Sequence, residues 1–174
     1  LGIIGYGKIG KRVAELAHAF GMSTLAYDPY IDEESCAALG TKFVPELDEL
    51  LKQSDYVSVH SPLTAETRNL LSEHEFSVMK PGAIVINCAR GGIVDEAAAL
   101  KALQSGKIAG LGLDVLSGEL AGSGLSDDAR LKSELFGQAG CIITPHIGGS
   151  AQEAYDAIGA FILEKTVDFY HLSK

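Results

Sequence analysis

The sequence predicts an α/β fold built on a doubly wound parallel sheet, and three observations carry that expectation. Short apolar runs of strand length alternate with segments of helical periodicity from one end of the chain to the other. Glycine, proline and aspartate punctuate nearly every change between them. The polar and glycine-bearing segments follow the strands, where ligands bind in sheets of this kind. Strand and helix in alternation make the sheet parallel, because parallel neighbours need a crossover between them.

The elements follow in order. Leu1 to Ile4 reads as a buried strand that runs into Gly5-x-Gly7-x-x-Gly10. Ile9, Val13, Leu16 and Phe20 then recur at helical spacing and predict a helix ended by Gly21. Ser23 to Tyr27 is a second strand, closed by Asp28-Pro29. Ile31 to Leu39 is a helix ended by Gly40, with Asp32-Glu33-Glu34 as first-turn charge. Thr41 to Val44 is a strand, Glu46 to Leu51 a helix, and Asp55 to His60 a fourth strand ending at Ser61-Pro62. Thr64 to Leu71 is a polar connection with helical propensity. Glu73 to Met79 is a short helix, Lys80-Pro81-Gly82 a turn, and Ala83 to Asn87 a fifth strand. Val94 to Gln104 is a helix and Ala109 to Val115 a sixth strand. Leu116 to Ala139 is weakly patterned, with a helix expected over Asp128 to Phe136. Cys141 to Thr144 is the last strand. Ser150 to Tyr170 is a long helix, with Ser150 as N-cap and Glu153 completing a capping box.

Bulk properties bound the partners. A chain of 174 residues, 47% hydrophobic and 21% charged, is long and apolar enough to bury a domain core. Its net charge of −9 argues against nucleic acid or an anionic membrane surface. Cys36, Cys88 and Cys141 are odd in number and far apart, so neither a disulfide framework nor a metal site is expected, and a reducing cytoplasm fits. No signal peptide or long apolar run is present. The chain opens inside a strand and without Met, so residues 1–174 read as one domain of a longer protein.

The first strand, the glycine turn and the helix after it supply the context that a dinucleotide-binding fingerprint requires. Gly5 permits the tight turn, Gly7 lets backbone approach a pyrophosphate, and Gly10 lets the helix pack against the strand. Asp28 follows at about the 20-residue offset where an acid meets the adenosine ribose hydroxyls. A carboxylate there repels a 2′-phosphate, which favours NAD over NADP; the bland alternative makes Asp28 the start of an Asp-Pro turn.

Further along that edge, Arg90 follows a strand end among small residues, a setting suited to bidentate capture of a carboxylate. His146 follows the last strand and can exchange a proton near neutral pH, with Glu119 as a candidate partner. His60 reads as structural, while His18, His74 and His171 read as solvated. Cys88 lacks an indicated base and reads as a small residue beside a ligand.

Taken together, Gly5-Tyr6-Gly7-Lys8-Ile9-Gly10, Tyr27-Asp28-Pro29, His60-Ser61-Pro62-Leu63-Thr64, Lys80-Pro81-Gly82, the stretch from Asn87 to Glu96, Leu113-Asp114-Val115 and the stretch from Thr144 to Gly149 resemble the nucleotide-binding domain of the D-isomer-specific 2-hydroxyacid dehydrogenases. The resemblance covers the whole chain in order. Asn87 to Glu96 and Ala102 to Asp114 look most like the D-3-phosphoglycerate dehydrogenase branch, with hydroxypyruvate and glyoxylate reductases as close rivals. It implies a Rossmann-type fold, NAD as cofactor and a small 2-hydroxyacid or 2-oxoacid as substrate. It also implies a homodimer and, for that branch, serine biosynthesis. Lys8 and Ile9 would line the pyrophosphate and Asp28 would bind the adenosine ribose. Ser61 and Pro62 would flank the adenine-side pocket. Cys88, Ala89, Arg90 and Asp114 would approach the nicotinamide end, with His146, Gly148 and Gly149 beside it. Arg90 would hold the substrate, His146 would be the acid/base and Glu119 its partner. The sequence departs from the family at Leu120, where proline usually follows the glutamate. A non-catalytic NAD(H)-sensing module is the competing reading.

Overall fold

The computed structural model describes residues 1–117 and 133–170. Seven strands form one sheet: β1 (Gly2–Ile4), β2 (Leu25–Tyr27), β3 (Lys42–Phe43), β4 (Tyr56–Val59), β5 (Ala83–Asn87), β6 (Ile108–Leu113) and β7 (Cys141–Ile143). Their order is β3-β2-β1-β4-β5-β6-β7, and every neighbouring pair is parallel. The chain order reverses between β1 and β4, so the topological switch point lies at the glycine turn.

Among the described residues six helices connect or follow the strands: α1 (Lys8–Ala19), α2 (Glu33–Ala37), α3 (Leu47–Gln53), α4 (Glu73–Val78), α5 (Glu96–Gln104) and α6 (Gln152–Phe169). The main core lies between the sheet and α3 to α5, where Leu50, Leu51, Phe76, Ala99, Val57, Val59 and Val85 are buried together. A smaller core under α1 gathers Ile3, Tyr6, Ala14, Ala26 and Cys36. On the other face of β4 to β7, among the described residues, Ile84 and Ile86 are half-buried and Ile142 is exposed. Leu1, Val13, Phe20, Met22, Tyr56, Ser58 and Ile86 line a shallow apolar depression there.

Several local readings are corrected. The large apolar residues that mark the period of α1 are not its buried face: Ile9 is 68% and Phe20 85% exposed and only Val13 packs against the smaller core, whereas Gly10, Ala14 and Ala17 are buried. A stripe of small residues lets the helix approach the sheet more closely than Leu or Phe would allow. Helix α6 starts a residue late, with Ala151 as N-cap and no side-chain cap, so the Ser150–Glu153 capping box does not form. The box occurs instead at α4, where Ser72 and Glu75 cap each other reciprocally. Asp32 and Asp95 cap α2 and α5, each accepting first-turn amides. The connection from Thr64 to Leu71 is a series of turns, and residues 133–137 are turns rather than the end of a helix. Residues 128–132 of that expected helix lie outside the described residues. Among the described residues no helix is long and apolar enough to cross a membrane, and no acidic, His or Cys group is placed to hold a metal.

Candidate active site at the carboxyl edge of the sheet

The carboxyl ends of the strands carry the site in sheet order. Asp28 stands after β2, the glycine turn after β1 and Ser61-Pro62 after β4. Cys88 to Arg90 follow β5, Asp114 follows β6 and His146 follows β7.

The glycine turn is shaped by what surrounds it. Gly5 has φ +88°, and a Cβ there would lie 2.8 Å from the His60 carbonyl carbon and 2.9 Å from Ser61 Oγ. That proximity brings Ser61 and the turn together. A Cβ on Gly10 would run into the Gly5 carbonyl oxygen, so close packing of α1 demands glycine. At Gly7 a Cβ would meet nothing within 4 Å. Gly7, Lys8 and Ile9 face the open side, and α1 starts on Gly7 with no side-chain cap. Its first-turn amides and positive dipole end are therefore available to an anion. This open cradle fits a dinucleotide pyrophosphate.

Asp28 is held from two sides. The Tyr6 amide donates to its Oδ2 at 2.8 Å and the Tyr30 amide to its Oδ1 at 3.0 Å. The second bond is the local turn that the bland reading foresaw; the first ties the acid to the glycine turn. Each oxygen keeps acceptor capacity for a ribose hydroxyl.

The turn after β5 is built by Asn87. Its buried side chain accepts from the Ala89 amide at 3.0 Å and donates to the Arg90 carbonyl at 2.9 Å. Arg90 is exposed, and its Nη1 donates to the Ala89 carbonyl at 2.6 Å. Cys88 is exposed and Ala89 half-buried beside it.

Asp114, 4% exposed, organises the histidine turn. Its Oδ1 accepts from Thr144 Oγ1 at 2.5 Å and from the Ile147 amide at 2.9 Å, and its Oδ2 accepts from the Gly148 amide at 2.8 Å. Desolvation pushes its carboxyl up, but these donors and the neighbouring His146 hold it below the ordinary value. A Cβ on Gly148 would press against Asp114 Oδ2 at 2.9 Å. Gly149 is exposed beside it. His146 is exposed with φ +55°, a left-handed conformation that costs a non-glycine residue energy. Glu119 lies outside the described residues.

Sequence reasoning missed Tyr6, Asn87 and Thr144 as working residues. Asn87, closing an apolar strand just before small residues, carries the signal of an Asx-type turn. His18 differs from its reading as solvated: it is half-buried and pairs with Thr24 Oγ1 at 2.7 Å. His74 is exposed as expected and pairs with Asp48 at 3.1 Å, and His171 lies outside the described residues. His60 fits its structural reading: it pairs with Ser58 Oγ at 2.9 Å, and burial pushes its ring below the ordinary histidine value.

Comparison with known proteins is consistent throughout. Residues 1–148 match the family model described as the D-isomer specific 2-hydroxyacid dehydrogenase, NAD binding domain. A D-3-phosphoglycerate dehydrogenase of Methanocaldococcus jannaschii is 39% identical over 95% of this chain and 30% of its own length. The Rattus norvegicus enzyme of the same name is 44% identical over 97% of this chain and 30% of its own. The chain thus spans about a third of the curated relatives it matches. Among solved structures, the NAD complex of a D-isomer specific 2-hydroxyacid dehydrogenase from Lactobacillus delbrueckii ssp. bulgaricus superposes with TM-score 0.87. It is 35% identical, over 99% of this chain and 53% of that one. Aquifex aeolicus D-lactate dehydrogenase, complexed with NAD and lactic acid, gives 0.81 at 38% identity, over 98% of this chain and 53% of that one.

Proposed function

The chain belongs to the D-isomer specific 2-hydroxyacid dehydrogenases as their NAD-binding domain, and from that membership we propose that it serves an NAD-dependent oxidoreductase acting on a D-2-hydroxyacid and its 2-oxoacid. One observation carries the reading: a ribose-directed acid, an open glycine cradle, an arginine, and a histidine in a strained turn stand in order along one sheet edge. The D-3-phosphoglycerate dehydrogenases among the relatives support D-3-phosphoglycerate as the substrate, with serine biosynthesis in the cytoplasm as the setting.

The roles divide along that edge. The amides of Gly7, Lys8, Ile9 and Gly10 hold the pyrophosphate, and Asp28 accepts from the adenosine ribose and disfavours a 2′-phosphate. Ser61 and Pro62 flank the adenine side, and Cys88 and Ala89 flank the nicotinamide. Bound NAD supplies the hydride acceptor, and its reduced form the donor. Arg90 holds the substrate carboxylate and polarises the reacting oxygen. His146 takes the hydroxyl proton during oxidation and returns it during reduction. Glu119 orients His146 by its place in the sequence, and Asp114 fixes the turn from which the ring projects. The rest of the protein supplies a substrate domain. The apolar side chains of α6, among them Tyr155, Ile158 and Ile162, support a homodimer because none of that helix is buried.

The test uses full-length protein with NADH and a 2-oxoacid. His146→Gln should lower kcat by about 10² to 10⁴, the usual worth of a general acid/base, and leave NADH binding intact. Arg90→Gln should raise the oxoacid KM without changing NADH affinity. Wild-type turnover in both variants would contradict these roles.

A further inference from the structure

A buried chain of hydroxyls runs beneath α1. Tyr6, 1% exposed, lies between Gly5 and Gly7 and donates its phenolic hydroxyl to Thr41 Oγ1 at 2.7 Å. Thr41 Oγ1 lies 2.8 Å from Thr24 Oγ1, and Thr24 Oγ1 lies 2.7 Å from His18 Nε2. Both threonines are buried, just before β3 and β2. His18 belongs to the last turn of α1. The chain therefore closes a ring. It starts in the glycine turn at the head of α1, passes under the helix, and returns at its tail.

The donors run in one direction when His18 Nε2 accepts. Tyr6 then donates to Thr41, Thr41 to Thr24 and Thr24 to His18, so that no hydroxyl in the ladder is left unpaired. Nothing in core packing requires the oxygen on Tyr6; a phenylalanine would fill the same space. The other end of Tyr6 does the connecting work, because its amide donates to Asp28 Oδ2 at 2.8 Å. The side chain that the ladder fixes thus sets the backbone that positions the ribose acid.

We infer that Tyr6, held by Thr41, Thr24 and His18, is a positioning residue that aligns the glycine cradle and Asp28 for the adenosine half of NAD. The inference rests on the proposed role of Asp28. It makes discrimination against NADPH depend on a hydroxyl that touches no part of the cofactor.

The experiment measures NADH and NADPH affinity by fluorescence on full-length protein, alongside thermal unfolding, for Tyr6→Phe, Thr41→Val, their double variant, Thr41→Ser and Asp28→Ala. Tyr6→Phe and Thr41→Val should each weaken NADH about three- to tenfold, the scale of one buried hydrogen bond. They should weaken NADPH less, so the preference for NADH narrows. The double variant should be no worse than either single, because both break one ladder. Thr41→Ser, which keeps the hydroxyl, should bind like wild type. If either variant folds poorly, Thr24→Val reads the next rung of the ladder. Unchanged NADH affinity, or equal losses for NADH and NADPH, would overturn the inference, provided that Asp28→Ala alters the preference. If Asp28→Ala leaves the preference unchanged, the role of Asp28 itself fails.

Discussion

At the residue scale, the carboxylates do the local work and leave measurable traces. Asp114 takes three donors from the 144–148 turn in a nearly closed setting. Asp114→Asn keeps the shape but cannot accept all three, so it should cost about 1–3 kcal/mol of stability at pH 7. The pH dependence has a definite sign. Asp114's folded value lies below its reference of 3.8, so its contribution is complete above that value and is lost as pH falls through the lowered one. Urea unfolding should show a gap between wild type and Asp114→Asn at pH 7 that narrows below about pH 3.8. A pH-independent gap would assign the loss to packing. Asp28 was legible from its offset to Gly10, as was its turn. Its bond to the Tyr6 amide was not, because a contact across two strands leaves no periodic mark in the sequence. Asn87 and the Tyr6 hydroxyl were hidden for the same reason: one looked like the polar end of a strand, the other like a filler between glycines.

At the element scale, strand order and the glycine turn were readable because apolar runs and φ-demanding glycines are local signals. The buried face of α1 was not legible, because periodicity marks large apolar residues, while close approach to a sheet is made by small ones. The two faces predict opposite outcomes. Ala17→Leu should overpack the interface and cost about 1–3 kcal/mol, whereas Leu16→Gln, on the exposed side, should change stability by no more than about 0.5 kcal/mol. Denaturant unfolding of the two variants checks this, and the reverse ranking would restore the periodicity reading. Gly10→Ala should also destabilise, since the added methyl collides with the Gly5 carbonyl. It should weaken NADH binding in parallel, because the same contact sets the cradle.

At the scale of the whole molecule, the proposed cofactor features stand together along one edge of the sheet, and apolar surface elsewhere is exposed among the described residues. The apolar depression beside Leu1, Phe20 and Ile86 faces solvent here, and none of α6 is buried. Those exposed surfaces support the substrate domain and dimer partner proposed above. Residues 1–174 alone should therefore bind NADH weakly and turn over no oxoacid; brisk turnover by that piece would show the substrate domain to be dispensable. Substrate choice was not legible in this stretch, because the roles proposed for Arg90 and His146 engage only what all 2-hydroxyacids share. The most direct measurement is NADH oxidation by the full-length protein across a panel of 2-oxoacids that includes the 3-phosphorylated one. Turnover should yield the D-hydroxyacid and be fastest with the 3-phosphorylated oxoacid. NADH that binds but is oxidised by none of them would contradict it and leave a nucleotide sensor in its place.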